Sequence, residues 1–243
     1  MTADHPRDSR VIYVDESTAA LPIADRLAWW QERTRNELIR TVITCDDAAH
    51  FRAEARAIDL GDVVVSRLRY SPIRYVRSRR LIQQSDPEQI VLAFSLSGQL
   101  GMTINRTERV CGTGDVLCYD TSRPFHGFTG GDPDRMATQL LVQVPRKALP
   151  LRAGELDRLI GVPLPASDGV GALLGDYLVS LARNADRYAP ADAARLATVT
   201  LDLVTATLGH HLDTALPPET HHQVLRTRIY RFVERRLADP RLS

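Results

Sequence analysis

The sequence predicts an α+β protein, with an antiparallel β region set between an N-terminal helix and a C-terminal run of helices. Short β-prone segments punctuated by turn residues fill residues 57–145, the pattern of an antiparallel sandwich or barrel. After Pro145 the apolar period lengthens to that of helices. With 243 residues, 44% of them hydrophobic, the chain has enough apolar material for one large domain or two small ones.

The elements follow in chain order. Residues 1–10 are polar, and a mobile start is expected there. A helix is predicted near 22–38, with Pro22 in its first turn and Ile23, Leu27, Trp30 and Leu38 on one side. Trp29 and Trp30 are expected to pack. Strands are predicted at Val63–Val65, Ile73–Val76, Ile90–Phe94, Gly101–Ile104, Val116–Tyr119 and Gln139–Val144. Turn residues separate them, among them Gly112-Thr-Gly-Asp115, where glycine permits positive φ. One helix is predicted near 168–186 and another near 191–212, after Pro190. The second carries two apolar stripes: Leu196, Val199 and Leu203, and Leu201, Val204, Leu208 and Leu212. One stripe suffices to bury a helix on one side, so two predict burial on two sides. Pro217-Pro218 forms a stiff linker. Thr220–Gln223 then reads as a capping box before a final helix, which Pro240 ends. Leu242-Ser243 looks like the N-cap of a further helix, so a continuation of the chain is expected.

Composition narrows the function. The 31 basic and 30 acidic residues leave a net charge of +1, which argues against an independent nucleic-acid module with a basic face. Cys45, Cys111 and Cys118 lack metal-type spacing and leave an odd thiol, which fits a reducing cytosol. The start has no apolar signal core, and no run approaches the roughly 20 apolar residues needed to cross a bilayer. A cytoplasmic protein without membrane contact is expected.

Three segments resemble the N-terminal part of AraC/XylS-type transcriptional regulators: Phe51–Gly61, Gly112–Tyr119 with Arg123-Pro-Phe-His126, and Ile229–Pro240 with Leu242-Ser243. The resemblance spans about residues 24–243 and departs from the family in lacking both helix-turn-helix units. It implies a cupin-like sensory barrel with its N-terminal helix over 1–150 and a helical dimerisation region over 151–216. Residues 217–243 would be a linker and the first helix of a truncated DNA-binding domain. The implied partners are a second copy of the chain, a small-molecule effector and, through the part beyond Ser243, operator DNA. No enzymatic activity and no cofactor are expected.

A cupin metal enzyme needs clustered histidines and a carboxylate. His126 is the single histidine between residues 57 and 145, while His210-His211 and His221-His222 fall in helical segments. A metal site is therefore not expected, and His126 reads first as a hydrogen-bonded barrel residue. There is no Gly-x-Ser-x-Gly turn for a nucleophile. Arg67, Arg69, Arg74, Arg77, Arg79 and Arg80 form the densest charge cluster, mainly a solvated face. One of them, Arg77 first, is the candidate to enter the barrel and grip a carboxylate effector with its planar fork. Phe94, Leu96, Met102, Tyr119 and His126 are the other candidate ligand-binding residues. Leu196, Val199, Leu201, Leu203, Val204 and Leu208 are the candidate dimer interface. Arg226, Arg231 and Arg235 on the final helix are candidates for touching the DNA backbone. The rival readings are a cupin-type metal enzyme, tested by metal content, and a stand-alone small-molecule-binding protein, tested by the sequence beyond Ser243.

Overall fold

Side chains alternate across a β-strand, so one strand can serve two cores at once. The computed structural model describes residues 12–130 and 135–214, and its β region is built on that property. The elements begin with β1 (Ile12–Ser17), α1 (Arg26–Glu37), β2 (Val42–Thr44), β3 (Ala53–Asp59), β4 (Val64–Tyr70), β5 (Arg74–Arg77) and α2 (Arg79–Gln84). Next come β6 (Gln89–Ser97), β7 (Gln99–Ile104), β8 (Thr107–Cys111), β9 (Asp115–Asp120), β10 (Phe125–Gly130) and β11 (Ala137–Pro145). The chain then becomes mainly helical: α3 (Ala153–Asp157), the short β12 (Pro163–Pro165), α4 (Gly169–Arg183) and α5 (Ala193–Thr214).

Two antiparallel sheets form a cupin-like barrel. The larger has the order β1-β3-β4-β11-β6-β9-β12 and the smaller β2-β5-β10-β7-β8. Strands β6 and β11 run through the middle of the larger sheet. On β6, Val91 and Ala93 face the barrel interior with Leu68, Leu117 and Leu141. Ile90, Leu92 and Phe94 face the other way, into a second core completed by Leu174, Leu178, Val204 and Leu208 of α4 and α5. Burial on both faces explains why these strands read as continuous apolar runs.

Helices α4 and α5 form a hairpin that continues this outer core. Tyr177 Oη lies 3.1 Å from the Leu196 carbonyl and Thr207 Oγ1 3.5 Å from the Val170 carbonyl, which sets their antiparallel register. Leu174, Leu178, Val204 and Leu208 are fully buried. Each contributes about 1.5–3 kcal/mol through burial. Helix α1 lies against the barrel: its Trp30 is buried, with the Phe51 and Tyr70 rings 6.4 and 5.8 Å away. Trp29 is half-buried, and the Arg33 guanidinium sits 5.9 Å from its ring centre.

Strands β1, β2, β3, β8, β10 and β12 lie outside the strand segments predicted from the sequence. Four of the five residues of β8 are exposed, so it has no alternating pattern to read. It pairs with β7 through the two-residue turn Asn105-Arg106, where both φ angles are positive, the geometry that suits a tight hairpin. Strand β10 holds Gly127, and β7 holds Gly101. These glycines are required because aromatic rings cover them: Tyr75 lies over Gly127 and Phe128 over Gly101. The turn before β9 behaves as expected, with φ +89° at Gly114. The segments expected to form a mobile start, a Pro217-Pro218 linker and a final helix lie outside the described residues.

Candidate ligand cavity

The inward faces of the two sheets line a half-open cavity of about 60 Å³, with α1 along one side. The large sheet contributes Leu68 and Tyr70 from β4, Val91 and Ala93 from β6, Tyr119 from β9, and Gln139, Leu141 and Gln143 from β11. The small sheet contributes Ile43 and Tyr75, with Ile73 just before β5. Trp30, Thr34 and Leu38, with Ile39 and Thr41 just after the helix, form the remaining wall. Burial pushes the phenols of Tyr70, Tyr75 and Tyr119 upward, so all three stay neutral across the physiological range.

The polar groups of this wall are held in place. Tyr70 donates to Gln139 Oε1 at 2.8 Å, and Gln143 Nε2 donates to Gln89 Oε1 at 3.0 Å. Three buried wall atoms have no hydrogen-bond partner in the protein: Trp30 Nε1, Gln139 Nε2 and Gln143 Oε1. These residues were not singled out from the sequence. The available signal was Gln139 and Gln143 four apart in an apolar strand, which puts both on one face.

The residues proposed from sequence fall in several places. Tyr119 lines the cavity, and Met102 is buried in the same interior cluster. Phe94 and Leu96 are corrected: alternation on β6 turns them to the outer core, where Gly175 of α4 gives Phe94 room. His126 is corrected too, because it is exposed on the outside of β10. Arg77 is fully buried but is not part of the cavity wall. Its Nε donates to the Thr121 carbonyl (2.6 Å), Nη1 to that of Arg40 (2.9 Å) and Nη2 to that of Ser85 (2.8 Å). Asp86 lies 4.0 Å away. Burial lowers the Arg77 pKa from its ordinary value, and Asp86 and then Tyr119 oppose that shift. The fork grips three loops of its own chain, not a ligand carboxylate. Of the remaining arginines in that cluster, all five are exposed.

On α5, Val204 and Leu208 are buried within the chain, while Leu196, Leu201 and Leu203 are half-buried and Val199 is 44% exposed. Arg226, Arg231 and Arg235 lie outside the described residues.

Other chemistry is sparse. Among the described residues, no group of three or more His, Cys, Asp or Glu is placed to hold a metal ion. A larger depression, about 370 Å³, lies outside the barrel beside Cys45–His50, Ser71–Arg74 and Phe128–Gly130. Its polar groups pair with one another: His50 Nδ1 lies 2.9 Å from the Asp47 carboxylate, and Arg74 lies 3.7 Å from Asp46. Asp120, at the end of β9, is buried and ion-paired with Arg123 (3.1 Å) and Arg146. No helix among the described residues is long and apolar enough to cross a membrane.

Burial pushes the thiols of Cys111 and Cys118 up to about 12, and that of Cys45 upward. Thiolate is the reactive form. Titration of the folded chain at pH 8 with a thiol-specific disulfide reagent is therefore expected to leave Cys111 and Cys118 unmodified until denaturant exposes all three. Rapid modification of more than one thiol would contradict these burials.

An uncharacterized protein in the nit 5′ region of Bacillus sp. (strain OxB-1) is 22% identical over 221 residues, covering 90% of this chain and 84% of that protein. The crystal structure of the AraC-like transcriptional activator CuxR shares the fold, with a TM-score of 0.68 at 19% identity, covering 81% of this chain and 70% of that one. The AraC-binding-like domain matches residues 30–209. The chain thus belongs to the AraC-binding-like domain family.

Proposed function

We propose that this chain is the effector-sensing and dimerisation portion of an AraC-family transcription regulator, acting in the cytoplasm by linkage and without catalysis. One observation carries the reading: the same strands wall the cavity and carry the helical pair. On β11, Leu141 faces the cavity while Leu140 and Val142 face the core shared with α4 and α5. A molecule that fits one arrangement of the interior better than another biases the sheet, and with it the helices. Equal affinity for both arrangements would shift nothing. The proposed division is sensory barrel 1–150, dimerisation region 151–216, and a linker with the first helix of a DNA-binding domain over 217–243. Operator DNA is the proposed partner of the complete DNA-binding domain of such a regulator.

The dimer is assigned to the outer face of the hairpin. There Val199 of α5 and Leu173 of α4 are 44% and 57% exposed, with Leu196 and Leu203 beside Val199 on the same stripe. Two-fold pairing is the commonest closed symmetry. Sedimentation analysis tests it: a dimer is expected at high micromolar concentration. Val199→Glu with Leu203→Glu should weaken association by at least about tenfold, since a tenfold loss needs only ~1.4 kcal/mol. A strict monomer at that concentration would overturn the assignment.

A further inference from the structure

We propose that the cavity takes an uncharged small molecule with an apolar body no larger than a single ring and an amide-like pair of hydrogen-bonding atoms, not a carboxylate or a phosphate ester. The proposal rests on the reading of the barrel as a ligand container and names what that container selects.

The walls exclude charge. None of the 16 lining residues is Lys, Arg, His, Asp or Glu. The buried cation nearest in character, Arg77, stands outside the wall and spends its fork on three backbone carbonyls. A carboxylate entering here would lose its hydration and meet no counter-charge, which is a heavy penalty in an apolar interior.

The walls also ask for polar partners. Trp30 Nε1, Gln139 Nε2 and Gln143 Oε1 are buried and unpartnered. An indole N–H is a donor only, so whatever fills the cavity must offer an acceptor to Trp30. Each glutamine is fixed at one end, by Tyr70 or by Gln89, and presents its other end free. Turning either amide over exchanges donor and acceptor but still leaves one end without a partner. A ligand with both an acceptor and a donor satisfies this set, and an apolar molecule does not. Burying such groups without partners costs stability, so a filled cavity is favoured over a dry one. At about 60 Å³ the space is under half of the roughly 150 Å³ that seats benzene, so a single ring is the upper limit and enters only if the wall yields, and a nucleotide is out of scale.

The test uses the 243-residue chain and three ring-sized probes: benzamide, benzoate and ethylbenzene. Titrations followed by the indole N–H resonance of Trp30, and in Trp30→Phe by the backbone amide resonances of β11, give both site and affinity. Benzamide is expected to bind about tenfold more tightly than either other probe, the worth of about one satisfied hydrogen bond, and to move that resonance. Trp30→Phe and Gln143→Leu should each weaken benzamide severalfold and leave ethylbenzene unchanged. In the ligand-free chain Gln143→Leu should raise Tm by about 2 °C, because an unpaired polar group is removed. Should Gln143→Leu fail to fold, Trp30→Phe carries the comparison alone. Benzoate binding as tightly as benzamide overturns the uncharged class and leaves the container intact. Equal weakening of benzamide and ethylbenzene by Trp30→Phe reduces the indole to a shape role and overturns the polar requirement. No shift of any cavity resonance by any probe overturns the container itself, and this proposal with it.

Discussion

Replacing Arg77 with methionine is expected to destabilise the chain by about 3 kcal/mol or more, because three carbonyls lose a charged donor and each such hydrogen bond is worth about 1.5–3 kcal/mol, offset in part by no longer burying a charge. The residue is fully buried, and its three donating nitrogens reach carbonyls in three separate places. Arg40 follows α1, Ser85 follows α2, and Thr121 follows β9. Methionine fills much of the volume but leaves those carbonyls without donors. Lysine keeps the charge and loses the fork, so Arg77→Lys should recover only part of the loss. Urea unfolding of the variants measures this directly. Near-wild-type stability of Arg77→Met, combined with loss of ligand binding, would return Arg77 to the role of effector grip.

Gly127→Val is expected to be the second most damaging single change, at about 2–3 kcal/mol, the upper range for overpacking. A Cβ at Gly127 would stand well inside van der Waals contact with the Tyr75 ring, which also forms part of the cavity wall. The ring must swing away or the β5–β10 pair must part. Because the cause is a single ring, the double variant Tyr75→Ala/Gly127→Val should be less destabilised than the sum of its parts. A coupling of at least about 0.5 kcal/mol is the expected signature of such a contact. Strict additivity would show that the ring does not set the glycine requirement.

These two residues also mark where the sequence could be read and where it could not. The α+β class, the β-rich middle and the two long helices follow from apolar periodicity, which burial writes directly into the chain. Strand β6 is legible for that reason. Its two faces serve different cores, however, and periodicity alone does not say which face is which. That is why Phe94 and Leu96 were assigned to the cavity and belong to the helical side. Strand β10 hid behind glycines whose reason is an aromatic ring on the neighbouring strand, a contact with no local trace. Arg77 stood out as a charge next to a predicted strand, but its acceptors are main-chain carbonyls, which every residue type supplies. Gln139 and Gln143 were visible as polar interruptions of an apolar strand. Their meaning depends on the wall that Trp30 and Tyr70 complete from elsewhere in the chain. The inner and outer stripes of α5 were legible as two apolar rows, and the hairpin with α4 takes up the row of Val204, Leu208 and Leu212.

The coupling of cavity to helices is tested most directly by hydrogen exchange on the chain, free and saturated with benzamide. Slower exchange is expected in β6 and β11, which wall the cavity, and in α4 and α5, which pack on their far side. Protection confined to the outer depression beside Cys45–His50, with β11 and the two helices unchanged, would contradict the sensor reading.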